Sequence, residues 1–378
     1  MNITLRRTHL VCVLAGALTL AVTILVLMAL SADPVKAAVP GTTIIVNTDQ
    51  DESNTRGDCS LREAIKAANT NSAVDGCRAG SATERDEIRF FLGERATIVL
   101  VSKLPTITDA SALNINGGRK ARIVVSGDGK VRVFAESKDA KLALANLTVA
   151  DGFADTFDNS MSGVPGGGIV NKGGALTVTH STFSRNNAVV GGGGIANIDG
   201  GTLRVIDSTF YANRSIAGGA ILNDARLEVS YSTFSANDAE FGGGGVLNAN
   251  NKAATMRVSN TVLADNLNGN IINVCTGLPP DEQCLGTITD GGYNISDDRD
   301  FRFTEATSKS DTDPKLDPNG PQSNGGPTQT IALQTDSRAV DYVPGGENGC
   351  GTTVKTDQRW VQRPQGKKCD SGAYEVQP

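Results

Sequence analysis

The stretch GGGGIANIDGGTLRVIDSTFYANRSIA, residues 191–217, is followed by GGAILN, a copy of its own beginning. Working outward, the segments GGGIVN, GGGGIAN, GGAILN and GGGGVLN end at Asn171, Asn197, Asn223 and Asn248, steps of 26, 26 and 25 residues. A second marker keeps the same step. STF recurs at 181–183, 208–210 and 232–234, Asn260, Thr261 and Val262 hold the equivalent place in a fourth copy, and residues 146–152 form a weaker earlier one. A fixed period of this length denotes a stacked repeat, in which each unit buries its apolar face only against its neighbours.

Within a unit the apolar residues alternate, as in Leu176, Val178 and then Thr182 with Phe183, or Leu203, Val205 and then Thr209 with Phe210. Short alternating runs of Val, Ile, Thr and Phe bounded by Gly, Asn and Asp denote half-buried strands. A leucine-rich repeat needs a helical half, and a propeller blade about 40 residues. The remaining architecture is all-β, a right-handed parallel β-helix with three short strands and three turns per coil. Every backbone position then meets its own equivalent one coil away, at about 4.8 Å. Glycine suits the bends, where φ is positive or another backbone comes close. A phosphate-cradling loop is the competing reading of the glycine runs, but no helix pattern or GK[ST] follows them. The spacing predicts one column of stacked amides at Asn171, Asn197, Asn223 and Asn248, and one of rings at Phe183, Phe210 and Phe234.

At 378 residues the chain suffices for one solenoid. Arg6 and Arg7 precede an uncharged run at 10–30, and VKA at 35–37 is a small-residue cleavage pattern. This reads as an export leader at 1–37. The run is also near the length that spans a bilayer, so an uncleaved anchor, the only membrane contact expected, is the alternative. Cys12 lies in the leader. The other six cysteines cluster as Cys59 and Cys77, Cys275 and Cys284, Cys350 and Cys369, and their clustering predicts three sequential disulfides in an oxidising compartment. Net charge is −6, and removing residues 1–37 (Arg6, Arg7 and Lys36 against Asp33) leaves −8. An acidic chain with no basic aromatic patch argues against nucleic acid as partner.

A solenoid must cover its ends. CSLREAIKAAN, residues 59–69, is the clearest helix in the chain. Ser60 and Glu63 fit a capping box, and Leu61, Ile65 and Ala68 fall on one face, so it is expected to cap the first coil. CSLREAI after a strand at 43–46 resembles the N-terminal module of bacterial CSLREA-domain secreted proteins. The stretch DPKLDPNGPQSNGGPTQTIAL, residues 313–333, with SRAVDY and TDQRWVQRPQGKKCDSGAYE after it, is similar to the choice-of-anchor Q domain that closes such β-helices. The resemblance brackets residues 40–378. It implies a secreted or surface β-helix protein and carries over no catalytic residue. The expected organisation is a leader at 1–37, an N-terminal cap at 38–87, repeats at 88–300 and a choice-of-anchor-Q-like region at 301–378.

Parallel β-helices also house pectate lyases and polygalacturonases, so enzymatic chemistry is weighed residue by residue. His180 is the single histidine outside the leader. Asp207 and Tyr231 hold its place in the following units, and unlike residues at one repeat position suggest an exposed, variable site. Asp297 with Asp298, and Asn47, Thr48 and Asp49, are fragments of a polygalacturonase-like set that lacks its Gly-His-Gly. A hydrolase needs two carboxylates placed across the scissile bond, and nothing ties these fragments together. Arg185, Arg204, Arg214, Arg226 and Arg257 form no readable triad for a lyase. Asp311, Asp313 and Asp317 have the oxygen-ligand composition for Ca²⁺ without the spacing of a known loop. No catalytic residue and no cofactor is therefore assigned, these aspartates being weak candidates for a metal. The expectation is a monomeric, secreted or cell-surface scaffold, more non-enzyme than enzyme, that binds an extracellular glycan or surface macromolecule. The alternative is a polysaccharide lyase or glycoside hydrolase.

Overall fold

The structure, a computed structural model, describes residues 40–155, 165–275 and 284–377. The leader, with Cys12 and His9, lies outside the described residues. Among those described, no helix is long and apolar enough to cross a membrane.

Three parallel sheets run the length of the stack. The first has nine strands, beginning at Pro40–Val46 and ending at Thr287–Asp290. The second has six, from Phe134–Glu136 to Ile271–Asn273, and the third eight, from Arg95–Val99 to Ile295–Ser296. The fold is a right-handed parallel β-solenoid of about seven turns. The alternation read from sequence sets which side chains enter it. Leu142, Leu176, Leu203, Leu227 and Met256 stand in register in the first sheet and are buried, as are Leu144, Val178, Val205, Val229 and Val258.

Phe183, Phe210 and Phe234 are in register in the third sheet, fully buried, with successive ring centroids 4.8 Å apart and planes within 8° and 3° of parallel. The ring spacing is the strand spacing of the sheet. Burying each ring is worth roughly 1.5–3 kcal/mol. The amides of Asn171, Asn197, Asn223 and Asn248 form one buried ladder, each Nδ2 donating to the next Oδ1 at 2.7–2.8 Å, and the last donates to Asn273 at 2.9 Å. Glycine is required where the coil turns into this sheet. Gly192 and Gly218 have φ of +64° and +63°, and a Cβ there would strike the carbonyl of Ile195 or Ile221.

The helix spans Leu61–Thr70. Its capping box forms as the sequence suggests, the Ser60 side chain accepting from the Glu63 amide and the Glu63 carboxylate from the Ser60 amide. Leu61, Ala64, Ile65, Ala67 and Ala68 are fully buried in the continuous core. Disulfides join Cys59 to Cys77, Cys275 to Cys284 and Cys350 to Cys369, with Cα atoms 4.8, 4.2 and 5.9 Å apart.

Candidate functional site

The position shared by His180, Asp207 and Tyr231 is a tight turn between the first and third sheets. Asn146, His180, Asp207, Tyr231 and Asn260 all adopt positive φ there, between 45° and 59°. The expectation of an exposed site is corrected. Asp207 and Tyr231 are 3% and 0% exposed, and Asn146 and Asn260 are equally buried, because the C-terminal segment lies over the column. Trp360 Nε1 donates to Asn146 Oδ1 at 2.8 Å. His180 stacks on the Trp360 ring at 4.0 Å, Arg363 reaches Asp207 at 3.5 Å, and Asn348 Nδ2 donates to Asn260 Oδ1 at 2.9 Å. Burial, with Arg119 and Arg363 nearby, lowers the His180 pKa to about 3, so the ring is neutral.

The C-terminal segment therefore lies along the flank of the coil stack. It follows the outward threonines of the third sheet: Thr182 donates to the Gln329 carbonyl (2.7 Å), Thr209 to Gln358 Oε1 (2.6 Å), and Thr233 accepts from the Ala373 amide (3.0 Å). Beneath it lies a buried charged cluster. Arg363, 1% exposed, donates to Glu375 at 2.8 Å and to the carbonyls of Asp370 and Gly372. Asp357, fully buried, holds Arg359. Desolvation pushes Asp207 up to about 8, against the pull of Arg363, and Asp370 up to about 7.

The segment stops short of the first coils, and there the same threonine strip lies open. Thr97, Val124 and Thr148 form the floor of a groove of about 350 Å³ whose far wall is Ser323, Thr328 and Gln329. Three guanidiniums line it: Arg95, Arg122 and Arg185. Arg185 joins Asp151 through two bonds of 2.8 and 3.1 Å, and Arg122 donates to Ser323 Oγ at 2.5 Å. Among the described residues, neither Arg95 nor Arg122 makes an ion pair. The lining holds hydroxyls, an amide and cations, and no carboxylate, imidazole or thiol. It can bind an anion by charge-assisted hydrogen bonds.

The other candidates fall elsewhere. Arg204 pairs with Glu228 (3.7 Å) and Arg214 with Asp238 (3.4 Å) on exposed faces, and Arg226 and Arg257 stand on the first sheet. Asp297 and Asp298 accept from the amides of Asp265 and Asn270, a turn role. Asn47 accepts from the Cys59 amide at 2.7 Å. Asp311 pairs with Arg299, and Asp313 and Asp317 accept from amides two residues on, so the three carboxylates do not converge. The group of acids that does converge among the described residues is Asp58, Glu63 and Asp75, with ligand atoms within 4.8 Å of one another. Glu63 already serves the capping box and the Asn54 amide, and Asp75 the Gly57 amide.

No protein-family model matches the sequence, and no curated protein matches it. Similar solved structures include these two. One is the crystal structure of jun a 1, the major allergen from cedar pollen, 13% identical with a TM-score of 0.32 over 71% of each chain. The other is pectate lyase Pel9A, 14% identical with a TM-score of 0.43 over 90% of this chain and 97% of that one.

Sequence reading missed the groove because Arg95 and Arg122 precede the clear repeats. It also missed a second amide ladder, Asn186, Asn213, Asn237 and Asn266, bonded at 2.8–2.9 Å. The signal was available: each Asn falls three residues after Phe183, Phe210, Phe234 or Leu263.

Proposed function

We propose that this chain is an exported, non-enzymatic β-helix scaffold of the CSLREA and choice-of-anchor Q kind, which binds an extracellular glycan through the groove at Arg95, Arg122 and Arg185. The observation that carries the reading is the lining: hydroxyls and guanidiniums at an open end of the threonine strip, with no side chain suited to proton transfer near neutral pH. The three disulfides support an oxidising, extracytoplasmic location. The motifs at 59–65 and 356–375 support the family reading.

A lyase or hydrolase is the second reading, favoured by the same arginines, which would hold the acid of a uronide. A hydrolase would in addition need two carboxylates facing the bound sugar. The test incubates the chain with acidic and neutral glycans, following binding by calorimetry and cleavage by unsaturated and reducing ends. Binding without turnover is expected. Turnover abolished by one Arg, Asp or Glu substitution overturns the scaffold reading in favour of the enzyme.

A further inference from the structure

Arg95 and Arg122 are register partners in the third sheet, one coil apart. That spacing is about 4.8 Å, and like charges directly opposite each other destabilise a sheet. Elsewhere on the solenoid, arginines face acids or uncharged residues of the next coil, Arg226 lying between Thr202 and Thr255 and Arg89 between Ile45 and Asn116. Arg204 faces Glu228 and Glu228 faces Arg257, Arg214 faces Asp238, and Arg185 holds Asp151. Among the described registers no other pair sets two cations opposite each other. The exception lies in the groove, where neither member has an acid partner.

We infer that the groove is built for an anionic glycan chain lying along the solenoid axis, with acid groups on successive sugars seated on Arg95 and Arg122. This rests on the glycan-binding reading above and names the class of glycan. The repulsion between the two guanidiniums is relieved when an anion bridges them, so the free protein carries a strain that the ligand removes. Arg185, paired with Asp151, completes the cationic lining. Thr97, Thr148, Ser184 and Ser323 offer hydroxyls to the sugar. The lining has no aromatic ring on which a nucleobase could stack, which favours a glycan over a single-stranded nucleic acid. The net charge of −6 opposes a polyanion at long range, and this makes the binding local and salt-sensitive.

The test titrates wild type, Arg95→Gln, Arg122→Gln and, as a distant control, Arg226→Gln. The probes are tetragalacturonate, its methyl ester, a heparin-derived tetrasaccharide, maltotetraose and a single-stranded oligoribonucleotide, each at low and high NaCl. Tetragalacturonate should bind and its ester should not. Each groove variant should bind about tenfold to a hundredfold more weakly, the size of a lost charge-assisted bond, and the control should match wild type. If the heparin fragment binds in place of the galacturonate, the anionic-glycan site holds and sulfate is its source. Without ligand, both groove variants should melt at a temperature no lower than wild type, which separates lost contacts from misfolding. If neutral and acidic glycans bind equally and without salt dependence, the inference fails and glycan binding stands. If no glycan binds, both fail, and binding of the oligoribonucleotide alone replaces the proposed class.

Discussion

Replacing Asn213 with alanine separates a buried ladder amide from its sequence neighbour Arg214. The Asn213 side chain makes four hydrogen bonds and is fully buried. Its Oδ1 accepts from the amide and the Nδ2 of Asn186 (3.1 and 2.9 Å), and its Nδ2 donates to the Phe183 carbonyl and to Asn237 Oδ1, both at 2.9 Å. Alanine leaves the Asn186 amide, one N–H of the Asn186 side chain and the Phe183 carbonyl without these partners, whereas Asn237 Oδ1 keeps the backbone N–H of residue 213. An orphaned buried polar group costs about 1–3 kcal/mol, so three cost about 3 kcal/mol at the least. Arg214→Ala removes a side chain that is 72% exposed and paired at 3.4 Å, and such a change is expected to stay within about 0.5 kcal/mol. Urea unfolding followed by circular dichroism, with equal m values, reads both. If Asn213→Ala costs less than about 1 kcal/mol, the ladder is not holding the coils together and the argument from buried amides is wrong.

Glu136 stands where the first ladder would continue, in register with Asn171. It is 1% exposed, and its oxygens lie near the Leu142 and Ala175 amides without hydrogen bonds of good geometry; burial pushes its pKa to about 8. Glu136→Asn should therefore extend the ladder and stabilise the protein by about 1 kcal/mol, and an unchanged or lower urea midpoint would refute this. Asp207 and Asp370 have folded pKa values raised to about 8 and about 7. Their contribution is complete below the ordinary carboxylate range and is lost as pH rises to 7–8, so thermal stability should fall over that window, and less steeply in Asp207→Asn; an identical slope in the variant would count against it. Leu61→Asp puts a charge at a fully buried position of the helix and should cost about 3 kcal/mol or more, with self-association seen by light scattering; a stable monomer would make the helix an appendage.

The coil architecture was legible because a 25–26 residue step forces equivalent residues together, and the core leucines, phenylalanines and first amide column follow from alternation alone. The turn column misled for a physical reason. Unlike side chains at one repeat position suggest solvent when only neighbouring coils are considered, but a later part of the chain covers them, and each residue then fits its own partner. Asn146 takes an indole N–H, His180 a ring face, Asp207 a guanidinium and Asn260 an amide. Period analysis has no means of seeing a contact of 214 residues' separation such as Asn146 with Trp360. The groove was hidden likewise, since its floor comes from the first coils and its wall from residues 323–329.

The same contacts engage TDQRWVQRPQGKKCDSGAYE, residues 356–375, with the coil stack. Asp357 accepts from the amides of Arg359 and Val361 and holds the Arg359 side chain, which fixes a turn. That turn aims Gln358 inward, where its amide bridges Thr182, Thr209 and Thr328, joining two coils to the groove wall. Trp360 caps the turn column, and Arg363 links Glu375 to Asp207 across the interface. Asp357, Gln358, Arg359, Arg363 and Glu375 are each less than a tenth exposed, so these side chains face the coils and not solvent. The chemistry of the motif is spent on docking the chain to itself, and because Gln358 binds both Thr328 and Thr182, that docking also sets the width of the groove in which Arg95 and Arg122 face each other.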